Sequence, residues 1–176
     1  MIQTTRAAAI LLALAATGFA TTFSRATTAD LVRKAQRVCC VRCESVTMRR
    51  DARTGFVFTY TTLRVLETMK GSASEKKIRL RIIGGRADGV ETKVAGMPVF
   101  RRGGECVLLL GKKNRAGYPT VLQAARGALA LRADKKGRRY VRGFVTGFAD
   151  LRGPRITLDA LRTAVKRAVA KAERAK

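Results

Sequence analysis

The stretch FVFTYTTLRVLETMKG (residues 56–71), with KIRLRIIGG (77–85) and PVFRRGGECVLLLG (98–111) after it, decides the fold. Each run is short, rich in apolar and β-branched side chains, and closed by glycine, the pattern of successive strands divided by turns. In 77–83 Ile78, Leu80 and Ile82 alternate with Arg79 and Arg81, the clearest two-residue period in the chain. That strand has one apolar face and one cationic face. In 56–68 Val57, Thr59, Thr61, Leu63 and Val65 fall on one side, and Phe56, Phe58, Tyr60, Thr62 and Arg64 on the other. Apolar groups on both faces predict a strand that curls and is covered twice, as in a small barrel. Residues 105–110 (ECVLLL) are apolar enough for a central strand.

Working outward, residues 37–48 (RVCCVRCESVTM) read as a lead-in strand and 49–55 as a polar turn. Residues 27–36 form a short helix, with Thr27 as its cap and Asp30 three residues on as in a capping box. On the other side a loop runs to residue 97, with an extended piece around 90–94. Residues 118–123 are a further strand, and 128–132 with 139–144 form a hairpin around 133–138. A glycine-rich connection over 144–155 leads to a C-terminal helix, residues 157–175, capped by Thr157. Its apolar stripe is Leu158, Leu161, Val165, Ala168 and Ala172, with Lys166, Arg167, Lys171 and Arg174 lying mostly off it. Neither a repeat nor a linker divides the chain, so residues 27–176 are expected to be one domain.

Residues 1–26 read as a secretory signal, with Arg6 in the n-region and an apolar run over 7–16. Small residues place the cut after Ala20 or Ala26, and the run is far short of the roughly 20 residues of a spanning helix. An uncleaved N-terminal anchor is the alternative. No cysteine follows either cut directly, so a lipid anchor is not indicated. The expected location is secreted or periplasmic, with no membrane span after cleavage.

Hydrophobic residues make up 47% of the chain and only three are proline, which sets it apart from disordered sequences. Lys and Arg number 37 against 12 acids, a formal net charge of +25. Cleavage at Ala26 removes only Arg6 and Arg25 from that surplus. Such a surface attracts polyanions, although a merely solubilising charge has the same composition. Histidine is absent, which excludes Ser-His-Asp and Cys-His catalysis, His-ligated zinc and a histidine pH switch. Asp88 and Glu91 share a loop, but so many cations nearby hold them ionised rather than tuned as an acid–base pair. Gly84, Gly85, Gly89, Gly103 and Gly104 fit neither GxxxxGK[ST] nor GxGxxG and serve turns and bends.

The cations offer a candidate polyanion site: Lys76, Lys77, Arg79 and Arg81 share a loop and an outer face, flanked by Arg101, Arg102, Lys112 and Lys113. Phe100, Tyr118 and Tyr140 are the aromatic candidates beside them, and none alternates with Arg79 and Arg81. Of the four cysteines, Cys39 and Cys40 point to opposite faces of a strand, a poor zinc framework. In an exported chain four cysteines suggest one or two disulfides; the alternative is that all are small buried hydrophobes standing in for valine.

The segments AQRV (35–38) with SV (45–46), TLRVLETMKG (62–71), IRLRIIGG (78–85) and PVFRRGGECVLLL (98–110) resemble a group of exported bacterial domains. These are similar in plan to the OB-like barrel of netrin modules and tissue inhibitors of metalloproteinases, and the likeness covers residues 30–144. It implies a mainly β fold, an OB-like closed or partly open barrel with a short N-terminal and an amphipathic C-terminal helix. In such a barrel the first strand pairs with the strand carrying Cys106. A bridge from Cys39, Cys40 or Cys43 to Cys106 follows, Cys43–Cys106 being the pair singled out, worth about 2–4 kcal/mol. The inhibitor branch needs a cysteine at the mature N-terminus; here threonine stands there after either cut, so protease inhibition is not implied. The expected function is a non-enzymatic binding domain for a protein partner, without metal or cofactor; the alternative is a polyanion (nucleic acid, anionic polymer or lipid surface) bound by the cationic face.

Overall fold

The computed structural model describes residues 26–142, 145–151, 153 and 155–174. The leader read at 1–26 lies outside them except for Ala26. Helix α1 (Thr28–Lys34) opens on the expected capping box: Thr27 Oγ1 accepts from the Asp30 amide, and the Asp30 carboxylate accepts from the Thr27 amide. Two 14-residue strands follow, β1 (Arg37–Arg50) and β2 (Val57–Lys70), then β3 (Lys77–Ile83). A small hairpin, β4 (Gly85–Ala87) with β5 (Val90–Thr92), occupies the loop where one extended piece was expected. Then come β6 (Glu105–Lys113), β7 (Pro119–Val121), a 3-10 turn (Ala124–Gly127), β8 (Ala128–Ala133) and β9 (Arg139–Arg142). The three-residue β10 (Arg155–Thr157) pairs with β9 just before α2 (Leu158–Arg174).

The protein is mainly β, as predicted. The main sheet is antiparallel throughout and runs β10-β9-β8-β6-β1-β2-β3. The second edge of β6 is divided, its first half paired with β8 and its end with β7. The sheet curls until β7 touches β3, yet no ladder joins these two strands. Three register shifts in β1, at Val38/Cys39, Cys40/Val41 and Cys43/Ser45, supply that bend.

Because side chains alternate across a strand, β1 and β6 feed two separate cores. Inside the curl lie Cys39, Val41, Cys43, Leu63, Ile78, Leu80, Cys106, Leu108 and Leu110. On the other side Val38, Cys40, Val107 and Leu109 meet both helices, through Leu31 and Val32 of α1 and Leu161 and Val165 of α2. The alanine–valine–leucine stripe of α2 is therefore a docking face. Arg162 fastens it with two bonds to Glu67 on β2, at 2.5 and 2.8 Å. Among the described residues no helix is long and apolar enough to cross a membrane.

The disulfide expectation is corrected. All four cysteines are free and buried. The first strand does pair with the strand of Cys106, but the register sets Cys106 opposite Val41, Cys39 opposite Leu108 and Cys40 opposite Val107. Cys43 bonds instead to the turn before β6, donating to Gly104 and accepting from Gly103. Cys43 and Cys39 are thus only diagonal neighbours of Cys106, and such pairs lie beyond a disulfide's usual Cα reach of about 7 Å.

Candidate polyanion-binding face

Strand β3 is an edge strand, and its ladder with β2 places Tyr60 opposite Arg81, Thr62 opposite Arg79, and Arg64 opposite Lys77. Directly opposed residues share a face, so these cations stand beside β2 side chains on the outside of the curl. Phe58 joins the same row, opposite Ile83 on one side and Arg49 of β1 on the other. The expectation that both faces of β2 are covered fails here. Val57, Thr61 and Leu63 are buried, but Phe58, Tyr60 and Thr62 remain half-exposed and, among the described residues, belong to neither apolar core.

A third ring arrives from a distant part of the chain. Asn114 closes the turn after β6, its side-chain oxygen accepting from the amides of Ala116 and Tyr118 at 3.0 and 3.1 Å. The turn carries Tyr118 across to Tyr60, ring centroids 6.2 Å apart and 68° between planes. Phe58, Tyr60 and Tyr118 thus interleave with Arg79, Arg64 and Lys77 across strands rather than along one strand. The sequence places Phe58 and Tyr60 on the face of β2 opposite Val57, but the expectation that this face is covered kept them out of the candidate site.

The cations differ in availability. Arg79 is exposed and makes no ion pair among the described residues. Arg81 is locked: it donates to Asp51 at 2.8 Å, and its guanidinium carbon lies 3.7 Å from the Phe58 centroid. Asp51 in turn sits below the ordinary carboxylate range, chiefly through bonds from the Thr54 amide and hydroxyl, with Arg81 adding a smaller pull. Lys77 lies 2.8 Å from Glu44, which also faces Arg64 at 3.9 Å. Glu44 is the extra residue at the Cys43/Ser45 register shift, so the bulge that bends β1 also delivers a counter-charge to this face.

The remaining candidates divide. Lys76, Lys112 and Lys113 are exposed near the start of β3 and the end of β6. Lys113 lies 4.0 Å from Glu75, the acid that also pairs with Arg37. Arg101 and Arg102 are exposed in the turn before β6, tied there by the Cys43–Gly103–Gly104 bonds. The length of β6, roughly 26 Å at the usual rise, separates them from Lys112 and Lys113. The eight cations therefore form no single patch, and Arg101 with Arg102 stand apart from the basic–aromatic face. Tyr140, proposed with that set, stacks instead with Arg155 near the hairpin.

Elsewhere, a cavity of about 380 Å³ lies under the loop 98–101 with Cys106 in its wall. That thiol and those of Cys39, Cys40 and Cys43 are held protonated by burial, Cys39 pushed up to about 12 and Cys40 to about 11. Such thiols are poor nucleophiles and poor metal ligands. Among the described residues no group of three or more cysteine and acid side chains is placed to hold a metal ion. No protein-family model, no curated protein and no solved structure matches this chain.

Proposed function

We propose that the chain is a non-enzymatic, extracytoplasmic binding domain of OB-like plan that engages an anionic polymer on the outer face of β1–β3. The observation that carries this is the interleaving of Phe58, Tyr60 and Tyr118 with Arg79, Arg64 and Lys77 on an uncovered sheet face. Phe58 is capped by Arg81, so Tyr60 and Tyr118 are the rings that offer stacking platforms, while exposed cations track a charged backbone, the combination that single-strand binders use. The OB-like plan draws support from the strand order: β3-β2-β1-β6, with β7 continuing from β6 toward β3. The extracytoplasmic location rests on the leader pattern of residues 1–26. A protein partner is the second reading, favoured by Val99, which projects 83% exposed between Pro98 and Phe100.

The test is salt-titrated binding of the protein to a single-stranded oligonucleotide and to heparin. Affinity should fall steeply with salt, and Arg79→Ala should reduce the logarithmic salt slope by about one. Tyr60→Ala should weaken the oligonucleotide by about 1–3 kcal/mol and leave heparin, which has no stacking bases, nearly unchanged. Absence of binding at physiological salt would overturn the polyanion reading and leave the protein reading around Val99.

A further inference from the structure

At the end of the basic–aromatic face, where the start of β3 approaches the end of β6, lies a cavity of about 360 Å³. Its wall includes Arg37, Lys77, Arg79 and Lys113 against a single acid, Glu75, with Tyr118 closing one side. Arg37 is the unusual member. Its side chain is only 10% exposed, although arginine is almost never this buried without full pairing. Its partners are few: Nη1 donates to Glu75 Oε2 at 3.0 Å, and Nη2 to the Glu75 carbonyl at 2.9 Å and to Thr68 Oγ1 at 3.4 Å. A guanidinium has five N–H donors, and the buried Nε finds no acceptor among the described residues. Glu75 itself is 56% exposed, on a loop whose residues 71–76 are all exposed.

We propose that this cavity is a phosphate-binding subsite in which Arg37 is the anchor and the Glu75 carboxylate is a displaceable occupant. Glu44 takes up Lys77 from outside the cavity, so the four cations stand against two acids, and the remaining surplus of positive charge is one that a phosphate dianion answers better than the Glu75 carboxylate alone does. The planar fork of arginine matches two phosphate oxygens, and the lysines act on the rest as point charges. Tyr118 lines the cavity and also meets Tyr60 on the open face. A phosphate here is therefore continuous with a chain lying on that face. In this respect the inference rests on the proposed function, but its anion site is tested separately.

The experiment measures saturable binding of inorganic phosphate by the full chain, against chloride at matched ionic strength, by NMR chemical shifts. Glu75→Gln removes the competing carboxylate at an exposed position and should tighten phosphate about tenfold, the worth of one charge-assisted hydrogen bond. Lys113→Ala should weaken it several-fold. If Glu75 served only to hold Arg37 in place, its replacement would leave phosphate binding unchanged or weaker, and the proposal would be overturned. Lack of any saturable phosphate binding overturns it equally. Comparing a 5′-phosphorylated with a 5′-hydroxyl oligonucleotide then distinguishes a polymer end from free phosphate. Phosphate binding without polymer binding keeps this inference and ends the broader reading; polymer binding indifferent to Glu75→Gln does the reverse.

Discussion

At the scale of single residues, the inside of the curl holds a buried threonine, Thr61. Thr61 is 1% exposed and its hydroxyl makes no hydrogen bond among the described residues. A buried hydroxyl left unsatisfied costs about 1–3 kcal/mol, so the isosteric Thr61→Val should stabilise the fold by about 1 kcal/mol. That gain would appear as a rise of a few degrees in Tm, and a fall in Tm would show that the hydroxyl is serving an unseen acceptor. The four thiols make a second prediction. Burial keeps Cys39 protonated to about pH 12 and Cys40 to about 11, whereas thiols of the unfolded chain ionise near pH 8.5. The folded state thus holds more protons above that point. Their contribution is complete below about pH 8.5 and is lost as pH climbs through the folded values. The urea midpoint under reducing conditions should therefore hold up to about pH 8.5 and drop from there toward about pH 11, and drop less in a Cys39→Val, Cys40→Val variant. Valine at both positions also revisits the sequence reading of these cysteines as valine substitutes, which the free thiols leave standing once the disulfide is gone.

At the scale of elements, legibility followed the range of the interactions. The capping box of α1, the alternation in β3 and the stripe of α2 are local patterns, and each was read to within a few residues. β10 was missed because three residues, Arg155 to Thr157, carry no periodicity; their pairing with Arg142, Val141 and Tyr140 makes them a strand. The candidate site was half legible for the same reason. Alternation put Arg79 and Arg81 outward, but Asp51 and Phe58, which lock Arg81, and Tyr118, which reaches Tyr60, lie at sequence distances that no local pattern spans. The disulfide failed on register alone: the right two strands pair, with Val41 rather than a cysteine facing Cys106. Gly71 shows how an element boundary fixes the site. It ends β2 at φ +84, and a Cβ there would meet the Gln36 carbonyl oxygen at 2.4 Å, backbone that cannot swing aside. Gly71→Ala should cost about 2 kcal/mol or more in a urea titration. The same change displaces the loop that brings Glu75 over Arg37. A near-neutral Gly71→Ala would mean that this junction has slack the packing does not suggest.

Over the whole molecule, the two cores are not two folding units, because the same strands build both. β1 sends Cys39, Val41 and Cys43 into the curl and Val38 and Cys40 toward the helices, while β6 does likewise with Leu108 and Leu110 against Val107 and Leu109. Loosening either side removes the support of strands the other side needs, so unfolding should be a single transition despite the layered plan. Leu63 inside the curl and Leu161 on α2 are both fully buried, and Leu63→Ala or Leu161→Ala should each cost about 2–5 kcal/mol. The informative observable is coincidence rather than magnitude. In a Tyr140→Phe background tyrosine fluorescence reports Tyr60 and Tyr118 at the β2–β3 edge, and far-ultraviolet circular dichroism weights α1 and α2. In both variants the two signals should fall together at the same lowered urea midpoint. If Leu161→Ala shifted the dichroism while the tyrosines held their original midpoint, the curl would be stable without its helical layer. The basic–aromatic face would then belong to a smaller independent unit, and the shared-strand argument would fail.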